Sequence, residues 1–307
     1  MDINVGEIAK KINIKGDVKF DEVMCRHTAF EIGGPADIYA LPVDEADIIH
    51  IAAVAHHEKI PLFILGAGAN ILVSDKGIRG IVLDMSNFTD IQIEENRLHC
   101  GSGAPISSVS ESAARHSLRG LEFIYKMPGS VGGALWMNAR CYGHSISELP
   151  GTIHYLNENL EHEILELPDP RFSYKKSPFQ SRNVILLHAD FSLEQGNQEL
   201  IRQRMHEIEE DRRNKGHFEH PSAGSVFKNN RSFGEPSGKI LDTLGLRGFR
   251  RGGAQIAPFH GNIIINTGGA RAEDVRSLIL YAQELAYTKR GIVLEPEIRL
   301  VGDWSEV

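Results

Sequence analysis

The 307-residue chain is poor in cysteine: Cys25, Cys100 and Cys141 lie far apart, and no Cys-x-x-Cys pair occurs. Thiols so few and so scattered build neither a disulfide framework nor a cysteine metal centre, and a reducing cytoplasmic setting is expected. No apolar run approaches the ~20 residues that cross a bilayer, and Met1–Phe20 is charged where a secretion signal would be apolar. Basic residues are in deficit, 33 against 41 acidic ones, for a net charge of −8. A broad nucleic-acid or anionic-membrane surface needs a surplus of Lys and Arg, so any anion must be held at a local site. His56-His57, His217 and His220 have no acidic or cysteine partner at ligand spacing, and no metal is expected. A Gly-x-Ser-x-Gly elbow is also missing, which argues against a serine hydrolase.

The length suits two domains, since single cores stop growing near ~250–300 residues. Met1–Phe20 has a weak helical pattern in Ile3, Ile8 and Ile12 and reads as peripheral. Arg26–Ala40 reads as two strands broken at Gly33-Gly34-Pro35, a hairpin. Asp44 is the N-cap of an amphipathic helix to Glu58 with Ile48, Ile51, Ala52 and Ala55 on one face. Strands follow at Leu62–Leu65, Ile71–Ser74, Gly80–Asp84, around Ile91 and Ile93, and at Leu98–Gly101, then a helix Pro105–His116. Further strands are expected at Thr152–Leu156, Glu163–Leu167 and Val184–Leu193. The one-faced helix Gln198–Arg213 is the natural connector, giving a first region 1–202 of two α+β lobes and a smaller α+β domain 203–307. That second part holds helices near Gly238–Leu244 and Arg271–Thr288 and strands near Ala254–Ile256, Ile263–Asn266 and Glu297–Val301.

Two glycine loops stand out. In Met127–Gly143, Pro128 and Gly129 forbid a simple helix start, while Gly132 and Gly133 leave bare backbone N–H groups that a large ligand could approach. Upstream, Gly66-Ala67-Gly68-Ala69-Asn70 follows the apolar run Leu62–Leu65. A lone loop of either kind is as readily a tight turn; a pair suggests one extended ligand with phosphate and ring. The second is not a Rossmann fingerprint, because Ile71-Leu72-Val73 continues as strand where that motif opens a helix. Other candidates are open to bland readings: Ser222–Asn229 as a turn, Tyr174-Lys175-Lys176-Ser177 as a solvated basic island, and Glu295 and Glu297, one face of a strand, as a charged edge.

Taken in order, Arg26-His27-Thr28 through Ile32–Asp37, Leu65–Asp75, Gly120-Leu121-Glu122-Phe123, Pro128–Gly133, Met137-Asn138-Ala139, Ala223–Asn229 and Leu294–Arg299 resemble the UDP-N-acetylenolpyruvoylglucosamine reductase family, from about Arg26 to Gly302. The resemblance implies an FAD-binding domain of the vanillyl-alcohol-oxidase type followed by a smaller α+β substrate-binding domain, and a cytoplasmic, monomeric enzyme of peptidoglycan precursor synthesis. It implies noncovalent FAD, NADPH as hydride donor and a UDP-sugar substrate, with no nucleic-acid or membrane partner. The cofactor contacts it implies are Gly66, Ala67, Gly68, Ala69, Asn70, Ile71, Pro128, Gly129, Ser130, Gly132 and Gly133. Ser225 is implied as proton donor, Glu297 and Lys175 as groups that polarise the substrate carboxylate, and Tyr174, Lys215 and Asn229 as substrate-binding residues. Glu297 is preferred to Glu295 because it immediately precedes Ile298-Arg299, as the family's glutamate precedes its own Ile-Arg pair. The short Ser225–Glu297 spacing matches the family type without an inserted subdomain. Two departures stand out: Lys175 replaces the usual arginine, and Arg140-Cys141 replaces small residues beside the flavin loop. A flavin oxidase of the same superfamily, or a non-catalytic flavin- or UDP-sugar-binding protein, remains the alternative.

Overall fold

The computed structural model describes residues 5–305. Two compact units emerge, one made of Met1–Lys19, Ile38–Ala67 and Gly80–Asp211, the other of Phe20–Asp37, Gly68–Arg79 and Arg212–Val307. Among the described residues no helix is long and apolar enough to cross a membrane.

The first unit is organised by a five-stranded antiparallel sheet in the order His162–Leu167, Gly151–Leu156, Ile185–Ser192, Arg97–Gly101, Ile91–Glu94. Period-2 alternation puts Leu98, Cys100, Ile153, Ala189 and Phe191 on one face, where they pack with Val109 and Ala113 of the helix Ile106–Arg115 and with Val131 and Leu135 of the helix Val131–Trp136. The parallel pair Leu62–Leu65 and Ile81–Asp84 makes the centre of a second core with Ile48, Ile51 and Ala55 of the helix Glu45–His57. Asp44 caps that helix as expected, its carboxylate accepting from Asp47 N at 3.0 Å. Asp47, buried, accepts in turn from the backbone N–H groups of Lys15, Gly16 and Val43. The N-terminal segment is therefore not peripheral: Ile8 and Ile12 are buried in this core, whereas Ile3 lies outside the described residues.

The second unit packs the helix Ala272–Arg290 on a three-stranded sheet, Arg250–Arg251, Ala254–Ile256, Ile264–Asn266. Its core also takes Phe30, Ile32 and Leu72, and strand Ile71–Val73 pairs in parallel with Arg299–Val301. A linear split at 202/203 therefore does not describe the compact units, because buried apolar residues from two early segments complete the late one. Arg26–Ile32 is not the first strand of a hairpin but a 3-10 turn at Met24–His27 followed by loop. The Thr28 hydroxyl closes that loop by donating to Ile32 O at 2.9 Å and accepting from Ile32 N at 3.3 Å, a local bond that displaces strand pairing.

Candidate active site

In the first unit, the central glycine segment forms a short helix, Val131–Trp136, with Ser130 as N-cap. The glycine N–H groups are not bare, contrary to the sequence expectation: Gly132 N donates to Ser102 O at 2.8 Å and Gly133 N to Ser130 Oγ at 3.3 Å. Helix capping uses them. What the glycines provide is close approach. A Cβ on Gly66 would stand 2.3 Å from Ser130 Oγ, and one on Gly132 would stand 3.0 Å from Ser102 Cβ, so each glycine lets its backbone lie against a serine side chain. Gly129, after Pro128, has φ +136 and open space where its Cβ would be, a conformation reserved to glycine.

Beside Gly132 the hydroxyl of Ser102 is buried with no hydrogen-bond partner among the described residues. A buried polar atom without a partner marks a group waiting for a ligand or water. Glycine close packing, an open left-handed glycine and an orphan hydroxyl at one locus fit a large flat cofactor with polar atoms. Ser102 was not among the sequence candidates; its only signal was the small-residue run Gly101-Ser102-Gly103-Ala104 after a strand.

Tyr174 and Lys175 also belong to the first unit. They sit at the tip of a turn closed by Ser173 N donating to Lys176 O (3.1 Å) and Lys176 N donating to Ser173 O (3.0 Å), with Lys175 at φ +57. The turn is fastened to the end of the Val131–Trp136 helix: Asn138 Nδ2 donates to Ser173 O at 2.8 Å, while Ser177 Oγ and Gln180 Nε2 donate to Trp136 O at 2.6 and 3.0 Å. The spacing Tyr-Lys-Lys-Ser is thus held to the glycine segment by its flanks. Arg140 turns away into its own hairpin, bonding Ser145 Oγ, Glu148 and Gly143 O, and the Cys141 thiol donates to Phe123 O at 2.7 Å.

The second unit gathers the other candidates. Gly68 takes φ +60, and its Cβ would lie 2.1 Å from His27 O, so Ala67–Ala69 turns on glycine chemistry here too. From this loop Asn70 Nδ2 donates to Glu297 O at 3.1 Å, Asn70 O accepts from Arg299 N at 3.0 Å, and Ile71 pairs with Arg299. Glu297 N donates to Val226 O at 2.7 Å, and Ser225 bridges Ile263. Asn262, buried, clamps the same segment: its carbonyl groups accept from Val226 N and Phe227 N, and its Nδ2 donates to Phe227 O, each at 2.8 Å. Asn70, Glu297 and Ser225 are therefore tied through adjacent backbone segments. Glu295 takes a different part, exposed and paired with Lys228 at 2.6 Å. Asn229 Oδ1 accepts from Ser237 N at 2.9 Å, starting the helix Ser237–Thr243. Lys215 is exposed and lies near His260, whose pKa is lowered chiefly by burial and further by the Arg247 and Lys215 charges. Asn262 escaped the sequence reading altogether, since a buried asparagine in the turn before the strand Ile264–Asn266 carries no motif.

Residues 36–156 match the family model described as FAD binding domain, and residues 216–301 the one described as UDP-N-acetylenolpyruvoylglucosamine reductase, C-terminal domain. An FAD domain joined to such a partner defines a two-part flavoprotein oxidoreductase, and the expected α+β class is borne out. The UDP-N-acetylenolpyruvoylglucosamine reductase of Caldanaerobacter subterraneus is 41% identical over 294 residues, covering 96% of this chain and 97% of the relative. That of Borrelia garinii is 39% identical, covering 95% of each. The crystal structure of the reductase from Thermus caldophilus superposes with a TM-score of 0.79 at 28% identity over 94% of this chain and all of the other. This chain belongs to the UDP-N-acetylenolpyruvoylglucosamine reductase family.

Proposed function

We propose that the chain uses NADPH to reduce the enolpyruvyl ether of UDP-N-acetylglucosamine to UDP-N-acetylmuramate, a step of peptidoglycan precursor synthesis. The observation that carries this reading is the backbone link from the Asn70 loop through Glu297 to Val226, which holds a carboxylate-bearing residue beside the segment of Ser225. FAD, when bound, supplies the hydride relay between NADPH and the enolpyruvyl methylene carbon. Gly66, Ala67, Gly68, Ala69, Asn70, Ile71, Pro128, Gly129, Ser130, Gly132 and Gly133, with Ser102, would hold it. The Cys141 thiol is bonded to a carbonyl, which supports noncovalent binding over a tether.

Hydride addition leaves negative charge spread over the substrate carboxylate as an enediolate, which a cation or N–H donor must stabilise. Lys175 is assigned that charge, with Glu297 polarising the same group and Tyr174, Lys215 and Asn229 binding substrate. The neighbouring carbon then takes a proton from the Ser225 hydroxyl. An alcohol is a weak acid, so Ser225 needs a nearby cation to hold its alkoxide, and Lys215, on the same unit, is the candidate.

Anaerobic stopped-flow spectra test the reading. NADPH should bleach the yellow protein, and the enolpyruvyl sugar nucleotide should recolour it without oxygen. Ser225→Ala should leave bleaching nearly intact and slow recolouring by about 10²–10⁴-fold, the usual contribution of general acid catalysis. Equal loss in both half-reactions would assign Ser225 to positioning, and no recolouring in the unaltered protein would remove the proposed substrate.

A further inference from the structure

The five-stranded sheet has a second face, away from its core, and three histidines meet on it. Cross-strand register puts His154 opposite His188 and His99 opposite Asp190, and the alternation carries all four side chains to the same side. The register shift between His154 and Tyr155 is a β-bulge, the device by which strands re-aim side chains. Ring centroids of His188 lie 4.2 Å from His154 and 4.7 Å from His99. Asp190 divides its carboxylate between two of them, Oδ1 at 2.9 Å from His99 Nδ1 and Oδ2 at 3.2 Å from His154 Nε2.

From this geometry we infer a divalent transition-metal site of the zinc class, with His99 Nδ1, a ring nitrogen of His188 and an Asp190 oxygen as ligands and His154 or water as the fourth. Ligand atoms of His99, His188 and Asp190 all lie within 4.8 Å of one another. A tetrahedral zinc at about 2.0–2.2 Å from N and O ligands separates them by about 3.4 Å, so rotamer adjustments of roughly 1 Å close the set. The composition, imidazole with one carboxylate, selects Zn²⁺, Ni²⁺ or Cu²⁺ over Mg²⁺ or Ca²⁺.

Two further features go beyond a chance cluster. The far nitrogen of His99, Nε2, is held by Asp90 Oδ2 at 2.8 Å, the carboxylate–histidine arrangement that fixes the tautomer of a metal ligand. Room for Asp90 is made by Gly101, where a Cβ would stand 2.5 Å from Asp90 Oδ1. Second, no hydrogen bond from the described residues reaches the His188 ring, which packs against the His154 and His99 rings. An imidazole nitrogen with a free lone pair is what a metal requires. Side chains of His99, Asp190 and His154 retain 32%, 22% and 25% exposure, which leaves an entry path from solvent.

Isothermal titration calorimetry with zinc chloride on the tag-free, chelator-washed holoenzyme tests this. One Zn²⁺ per chain is expected, lost in His188→Asn and in His99→Asn. Asp90→Asn should keep the stoichiometry but weaken binding by about 10–100-fold, as removal of an outer carboxylate does. Unchanged zinc uptake in the His99→Asn, His188→Asn double variant, or no uptake by the unaltered protein, overturns the site. Should a variant fail to fold, anomalous diffraction at the zinc edge from soaked wild-type crystals decides instead: a peak among His99, His188 and Asp190 supports the assignment, and a peak elsewhere alone ends it.

Discussion

On the proposed assignment, Lys175 stands where the resemblance implies an arginine. An arginine presents two parallel N–H donors to a carboxylate, whereas lysine offers a compact charge on a movable stem. The backbone there is fixed: Lys175 sits at φ +57 in a turn fastened through Asn138, Ser177 and Gln180, and Gln180 Nε2 donates to Lys175 O at 3.2 Å. A charge on a fixed base can replace a fork without its geometry. On the proposed assignment, Lys175→Ala should slow anaerobic recolouring by about 10²–10³-fold, the effect of losing one oxyanion donor, and Lys175→Arg should match or exceed the native rate. A normal rate in Lys175→Ala with a collapsed rate in Lys176→Ala would move the role by one residue. Arg171, the other cation nearby, is already bidentate to Asp169.

At the scale of elements, the loop carrying Ser225 depends on Asn262, and Asn262 depends on a histidine. His260 Nδ1 accepts from Asn262 N at 3.1 Å, which requires an unprotonated Nδ1. Burial lowers the His260 pKa, opposed by Asp242 and assisted by Arg247 and Lys215, the charged groups around it. The folded state therefore binds fewer protons than the unfolded chain below about pH 6.5, so the stability is full above that value and is lost as pH falls through the lowered folded pKa. The melting temperature should drop between pH 7.5 and 5.5, and His260→Asn should flatten that slope; an unchanged slope would show that His260 does not report on this loop. Elements of strong period were legible in the sequence, including the Asp44-capped helix, the sheet strands Thr152–Leu156 and Val184–Leu193 and the connector Gln198–Arg213. What was not legible was decided by side chain to backbone bonds. Thr28 turns a strand-like pattern into loop, and Ser130 turns a glycine segment into a capped helix. His99, His154 and His188 lie on separate strands, so no spacing along the chain announces their meeting.

The whole molecule is divided otherwise than along its length. Sequence reading finds the change of character near Gln198–Arg213, and the compact units do change at Asp211/Arg212, but burial in the second unit draws on residues that precede it by more than a hundred positions. Phe30, Ile32 and Leu72 are at most 2% exposed in the core built by the helix Ala272–Arg290 and its sheet, and Ile71–Val73 supplies the only strand that Arg299–Val301 pairs with among the described residues. Composition and periodicity cannot register such loans, because each early segment looks complete where it stands. The energetic consequence is large. Fully burying a Phe, Ile or Leu side chain contributes about 1.5–3 kcal/mol, so three of them amount to a sizeable part of the roughly 5–15 kcal/mol that stabilises a domain. A fragment comprising residues 203–307 alone also leaves the Asn266 amide without Phe30 O, its acceptor at 3.0 Å, and the Asn70 bonds to Glu297 and Arg299 unmade. That fragment should show no cooperative thermal transition by circular dichroism and should bind a hydrophobic dye. The full chain should melt cooperatively, and Leu72→Ala within it should lower stability by about 2–5 kcal/mol, as deletion of a buried leucine does. A sharp transition in the isolated fragment with native helix content would mean that the late residues form a self-sufficient domain and that the two early segments merely cover it.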